Sequence, residues 1–79
     1  ADNIKYGDAN CDEAVTMADA AAIFQSLGNP DKYALSEQGR VNADCSNTGD
    51  GVTPADGLAV QKLTAGLIDS LPEITKENL

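Results

Sequence analysis

Apolar positions along this chain gather into two short helical runs, each directly after an acid-rich stretch. Following Asp19, the run Ala20, Ala21, Ala22, Ile23, Phe24, Gln25, Ser26, Leu27 is made of strong helix formers apart from Ser26. Ile23 and Leu27 stand four apart, on one face, and Gly28-Asn29-Pro30 supplies a helix stop. Further on, Leu58, Ala59, Val60, Leu63 and Leu67 recur at three- and four-residue spacing. This predicts a second helix from about Pro54 to Leu63 or Ala65, with Pro54 suited to a first turn that needs no N–H. Between the two, residues 31–41 carry Tyr33, Ala34, Leu35, Gln38 and Val41, a pattern open to a short, loosely amphipathic helix or to an ordered connector. Leu71-Pro72 begins a polar tail, Glu73 to Leu79, that is expected to fray. Ile4 and Tyr6 either close on Leu71-Pro72 as an apolar clasp or fray with it.

The two runs are copies. Val15-Thr16-Met17-Ala18-Asp19 lies over Val52-Thr53-Pro54-Ala55-Asp56, and Ala22-Ile23 over Ala59-Val60, at an offset of 37 residues. A tandem duplication of one loop–helix unit is the economical reading. It divides a single domain, 1–79, into a first loop–helix (8–27), a connector (28–43), a second loop–helix (44–65) and a tail (66–79).

Charge decides what the loops are for. The 79 residues hold 13 Asp+Glu against 5 Lys+Arg and no His, for a formal charge of -8. A nucleic-acid partner is thereby excluded for want of a basic face, as are imidazole chemistry and a structural zinc site. With 4% aromatics and no Trp, the core must come from Ala, Val, Ile and Leu, which is thin for so short a chain and calls for a staple or a metal. No apolar stretch is long enough for a transmembrane helix, and no signal peptide stands at the start, as expected of a mature chain or a fragment. Six of the 13 acids, Asp8, Asp12, Asp19, Asp44, Asp50 and Asp56, sit in two compact clusters and would repel one another without a cation between them.

Asp8, Asn10 and Asp12 alternate, and Asp19 follows at the twelfth place counted from Asp8. A calcium loop sets oxygen side chains at places one, three and five, a carbonyl at seven, often a water at nine and a carboxylate at twelve. Those places are Asp8, Asn10, Asp12, the Ala14 carbonyl, Thr16 and Asp19. Asp and Asn also serve turns and helix caps without metal, but two copies in register argue for the ion. Calcium suits the loop better than magnesium, which wants a smaller octahedron and keeps its waters. Val15, at place eight, would pair with Val52 as a short ladder between the loops. Glu13 stands at place six, where the usual loop has Gly, which implies strain. The second loop runs 13 residues, Asp44 to Asp56. Asp44, Asn47, Asp50 and Asp56 are its expected side-chain ligands, with Ser46 and a carbonyl near Thr48 or Gly51 as competitors.

Seven residues precede Asp8 in this sequence, and the first unit is expected to be a loop plus exiting helix alone. That truncated form, duplicated, with Val at place eight and Asp at twelve, resembles the dockerin family, in particular the type I dockerins of cellulosomes. The match runs from about Gly7 to Leu71. The resemblance implies an all-α fold of duplicated calcium-loop-plus-helix (F-hand) units, with two antiparallel helices, a short connecting helix and two calcium ions. It further implies a noncatalytic module of a secreted enzyme or scaffold, monomeric before docking, that binds a cohesin domain outside the cell. Carried over residue by residue, the partner-reading places are Met17-Ala18 and Phe24-Gln25 in the first unit, and Pro54-Ala55 and Gln61-Lys62 in the second. Type I members often have Ser-Thr and Lys-Arg there; this chain has neither pair in full. The two halves differ enough to imply one dominant binding mode, with the second helix and Lys62 leading.

Two other functions compete. A calcium sensor or buffer would expose a Met-rich groove, and the chain has one Met. A carboxylate-pair hydrolase is disfavoured because every clustered acid already belongs to a loop. Cys11 and Cys45, at nonequivalent places, form either a disulfide or two thiols, and neither suits a hard-oxygen metal site.

Overall fold

The computed structural model describes residues 3–49 and 51–74. Three helices follow in order: α1, Met17–Gly28; α2, Glu37–Ala43; and α3, Pro54–Thr64.

Each long helix starts on a reciprocal cap. Thr16 is extended, its side chain accepts from the Ala18 N–H at 3.2 Å, and its own N–H donates to Asp19 Oδ2 at 2.8 Å. Helix α1 therefore begins two residues ahead of Asp19, which sits inside its first turn. At α3 the Thr53 N–H likewise donates to Asp56 Oδ2 at 2.6 Å, the Thr53 hydroxyl donates to the same oxygen at 3.3 Å, and Pro54 takes the first position. The connector forms its helix later than residues 31–41 predicted. The N–H groups of Lys32 and Tyr33 both donate to the Asn29 carbonyl, so this stretch is a turn. Helix α2 starts only where Ser36 caps it, accepting from the Gly39 N–H at 2.9 Å.

Helices α1 and α3 pack antiparallel. The Met17 sulfur lies 3.0 Å from the Thr64 hydroxyl, and the Phe24 ring lies against Gly57. Repeat-equivalent residues line the contact: Asp19 and Asp56, Ala20 and Gly57, and Ile23 and Val60 are all buried. Burying Ile23 and Val60 contributes about 2 kcal/mol each. Around them Ala9, Ala43, Cys45 and Ala59 complete a core of small residues, with Tyr6, Val15, Leu35, Val52 and Leu71 packed on its edge.

That core is smaller than the apolar spacing implied. Leu27 and Leu58 are exposed, and Leu67 is 75% exposed. Helix α3 meets α1 along Asp56, Gly57 and Val60, which turns Leu58 outward, and it ends at Thr64, so Leu67 has left the helical register. Val15 and Val52 each pack against the core, and among the described residues the isolated β-bridge is the parallel one between Ser46 and Glu73 rather than a ladder between the two valines. Of the clasp, Tyr6 and Leu71 do pack on the core, while Ile4 is exposed.

The expectation of a fraying tail is corrected at Glu73. Its N–H donates to the Cys45 carbonyl at 2.7 Å, its carbonyl accepts from the Asn47 N–H at 2.7 Å, and its carboxylate meets Lys62 at 3.0 Å. Residues 75–79 of that tail lie outside the described residues. Helix α2 holds the first loop in a similar way. The buried Asn42 donates through Nδ2 to the Asp8 carbonyl at 3.0 Å, and its own carbonyl accepts from the Gly7 N–H at 2.8 Å. Gly39 allows this approach, since a β-carbon there would collide with the Ala9 carbonyl oxygen.

Candidate functional site

In the first loop the carboxylates of Asp8, Asp12 and Asp19 each bring an oxygen within 4.8 Å of the others. Asp8 and Asp19 are buried, whereas Asp12 is exposed. Asp8 organises the curl, accepting from the Asp12 N–H at 3.1 Å and the Glu13 N–H at 2.9 Å. Asn10 Oδ1 and Asp12 Oδ1 accept from the N–H groups two residues on, at 3.2 and 3.0 Å. Asp19 closes the loop, with Oδ1 accepting from the Asn10 N–H at 3.2 Å. Burial pushes the Asp19 carboxyl above its ordinary range. The N–H groups of Thr16 and Asn10 oppose that rise, and the charges of Asp8 and Asp12 add to it.

The second loop repeats this bonding. Asp44 Oδ2 accepts from the Gly49 N–H at 2.8 Å, as Asp8 Oδ2 does from Glu13. Asp56 Oδ1 accepts from the N–H groups of Cys45 and Ser46 at 3.0 and 2.8 Å. Its carboxyl is likewise raised, by burial first, against the N–H groups of Thr53, Ser46 and Cys45, with Asp44 adding to the rise. Asp44 Oδ1 is buried and accepts no hydrogen bond from the described residues. Such an oxygen is costly unless a cation or water takes it.

Backbone angles fix the register between the loops. Cys11 and Glu13 are left-handed in the first loop, at φ 59° and 70°, and Asn47 and Gly49 in the second, at 51° and 100°. Counting from Asp44, the loops therefore match through Gly49, and the extra residue falls between Gly49 and Val52. Ser46 stands where Asn10 does, Thr48 where Asp12 does, and Asn47 where Cys11 does. By this register Ser46 holds the third place counted from Asp44, and Asn47, the ligand expected from the sequence spacing, holds the fourth. Asp50 lies outside the described residues. Glu13 confirms the strained place six, a left-handed non-glycine costing about 1 kcal/mol.

The expected partner-reading residues line the exposed side of the helix pair. Met17, Ala18, Phe24 and Gln25 are exposed on α1, as are Pro54 and Ala55 on α3, while Gln61 and Lys62 are half-buried. Asp19, the one charged residue of α1, is buried, so that helix presents a neutral face on an acidic chain. Both cysteines are thiols, Cys11 exposed and Cys45 buried. Burial, then the charge of Asp56, pushes Cys45 up to about 12. Glu73 and Asn42 escaped the sequence reading; the sole available signal was a polar residue beside each loop-bearing segment, which no local pattern distinguishes from solvent-facing ones.

Fold and site together define a class: a duplicated loop–helix module with an oxygen-donor loop ahead of each long helix. No family profile matches the chain. It is 43% identical over 77 residues to a xylanase/beta-glucanase of Ruminococcus flavefaciens, an alignment covering 87% of this chain but 10% of that protein. Among solved structures it matches, with a TM-score of 0.81 and 42% identity, a chain of the complex described as the third ScaB cohesin of R. flavefaciens with a group 1 dockerin. That match covers 87% of this chain and 99% of the other. The chain belongs to the dockerin family.

Proposed function

We propose that this chain is a noncatalytic, calcium-dependent adaptor that binds a cohesin domain and so attaches a secreted polysaccharide-degrading enzyme, or a scaffold, to a cellulosome outside the cell. The observation that carries the calcium reading is the donor chemistry. Three converging carboxylates in one loop and an orphaned buried Asp44 oxygen in the other suit a hard divalent cation. One ion would be held by Asp8, Asn10, Asp12, the Ala14 carbonyl, Thr16 and Asp19. The other would be held by Asp44, Ser46, Thr48 and Asp56, with Asp50 or the Gly51 carbonyl completing the set. When bound, calcium supplies charge neutralisation, lowering the formal charge from -8 to -4 with two ions. The protein's own part is mechanical. Asp19 and Asp56 each bond both to a loop backbone and to a helix cap, so ordering the loops orders the helix starts, and the neutral α1 face follows.

The likeness to a dockerin solved with its cohesin supports the partner. A pull-down against a cohesin panel, with calcium and with EDTA, tests the reading. Capture in calcium that EDTA abolishes is the expected result, and capture that ignores EDTA refutes the calcium dependence.

A further inference from the structure

We propose that Glu73 is a positioning residue for the second cation loop: it grips the two peptide units that flank Ser46, and Lys62 anchors it there. This role rests on the calcium reading and adds to it a residue, outside both loops, on which one site depends and the other does not.

In the second loop the Cys45–Ser46 peptide is held at both ends. Its carbonyl accepts from the Glu73 N–H at 2.7 Å, and its N–H donates to Asp56 Oδ1 at 2.8 Å. The next peptide, Ser46–Asn47, donates its N–H to the Glu73 carbonyl at 2.7 Å. Ser46 is buried, and Glu73 is its bridge partner. At the equivalent places the first loop closes on itself: the Cys11 N–H turns back to the Asp8 carbonyl at 3.3 Å, and the Asn10 N–H goes to Asp19. The donors explain why the second loop gains from an outside grip. Where the first loop has Asn10 and Asp12, the second has the hydroxyls of Ser46 and Thr48, shorter and weaker ligands for a hard cation. A loop with weaker donors depends more on being held in its bound shape before the ion arrives. The buried Asp44 Oδ1, which accepts no hydrogen bond from the described residues, shows that this shape leaves an oxygen for the ion.

The side chain of Glu73 keeps the grip in place. Its carboxylate, 16% exposed, lies 3.0 Å from the Lys62 ammonium in the last turn of α3. Helix α3 carries Asp56 in its first turn, so the ion pair ties Glu73 to the same helix that closes the loop. Separating the pair would leave a largely buried carboxylate without its cation. In α1 the place of Lys62 is taken by Gln25, which is exposed and carries no charge to make such a pair.

The test follows the full chain through a calcium titration out of EDTA. It reads the amide resonances of Glu13 and Gly49, which donate to Asp8 and Asp44 at equivalent places of the two loops. Lys62→Met keeps the packed stem and removes the charge, and Glu73→Pro removes the N–H that meets Cys45. The calcium midpoint read at Gly49 is expected to rise about fivefold in Lys62→Met and about thirtyfold in Glu73→Pro, while that at Glu13 stays within about twofold of wild type. The exchanged pair, Lys62→Glu/Glu73→Lys, should bring the Gly49 midpoint back to within about twofold. In Lys62→Met, equal rises at both amides mark a general stabiliser and overturn the positioning role. An unmoved Gly49 midpoint, or no recovery in the exchanged pair, overturns it as well. A wild-type chain in which neither amide responds to calcium up to about 10 mM overturns instead the calcium reading beneath it.

Discussion

The Phe24 ring lies across Gly57: a β-carbon at that position would come within 2.6 Å of the ring. Gly39 is crowded as well, but by the Ala9 backbone carbonyl. The two differ in what can yield. A half-exposed ring can swing outward, and alanine gains about 1 kcal/mol over glycine within a helix. Gly57→Ala is thus expected to leave stability nearly unchanged while displacing Phe24 on the exposed side of the helix pair. At Gly39 the backbone cannot move so cheaply, and Gly39→Ala should cost about 1–3 kcal/mol despite the same helix gain. Chemical denaturation in calcium measures both.

Removing a loop carboxylate should act through folding. Asp19→Ala deletes a closing carboxylate together with the acceptor for the Thr16 and Asn10 N–H groups. Far-UV circular dichroism should show the loss of much of the α1 signal, and docking should fall with it. Asp8→Ala should do the same through the Asp12 and Glu13 N–H groups. A variant that keeps full helix and normal calcium uptake contradicts the coupling.

Acid should have opposite effects on the metal-free and calcium-loaded forms. In EDTA the Asp19 and Asp56 carboxyls lie above their ordinary 3.8, so the folded chain binds protons more tightly than the unfolded one. The stabilisation from that protonation is full below the ordinary carboxylate value and is lost as pH rises through the raised values. Lowering pH from about 7 toward about 4 should therefore raise the melting temperature without metal. With calcium the ionised carboxylates are the binding form, and the same descent should lower it.

The thiols report on the Glu73 bridge. Cys11 is exposed and should react promptly with a thiol reagent, while Cys45 is buried and raised to about 12 and should be protected. A chain ended before Glu73 loses the partners of the Cys45 carbonyl and the Asn47 N–H. Cys45 should then become reactive. Continued protection would mean that the bridge does not hold the second loop closed.

Much of this molecule was readable from residue order. The alternation of Asp8, Asn10 and Asp12 and the closing acids act over a few residues, so their spacing carries their geometry. Both long helices and the acid-lined loops followed directly. The burial of the leucines did not follow, because Leu58 and Leu67 satisfy helical periodicity as well as Val60 does. Which of them goes inside depends on where α1 presses upon α3. The register of the longer loop was equally hidden, since either end could anchor the count; the left-handed angles at Asn47 and Gly49 settle it.

Glu73 marks the boundary between the two kinds of knowledge. In one dimension it is an acid in a polar run after a proline, with nothing to separate it from a solvated end. In three dimensions it bridges the second loop and neutralises Lys62, 11 residues away along the chain. Short-range chemistry sets the loops and the helix starts because its partners are neighbours along the backbone. The seating of Glu73 and the burial of the helix faces belong to contacts between distant segments, and those exist only once the two halves have folded against each other.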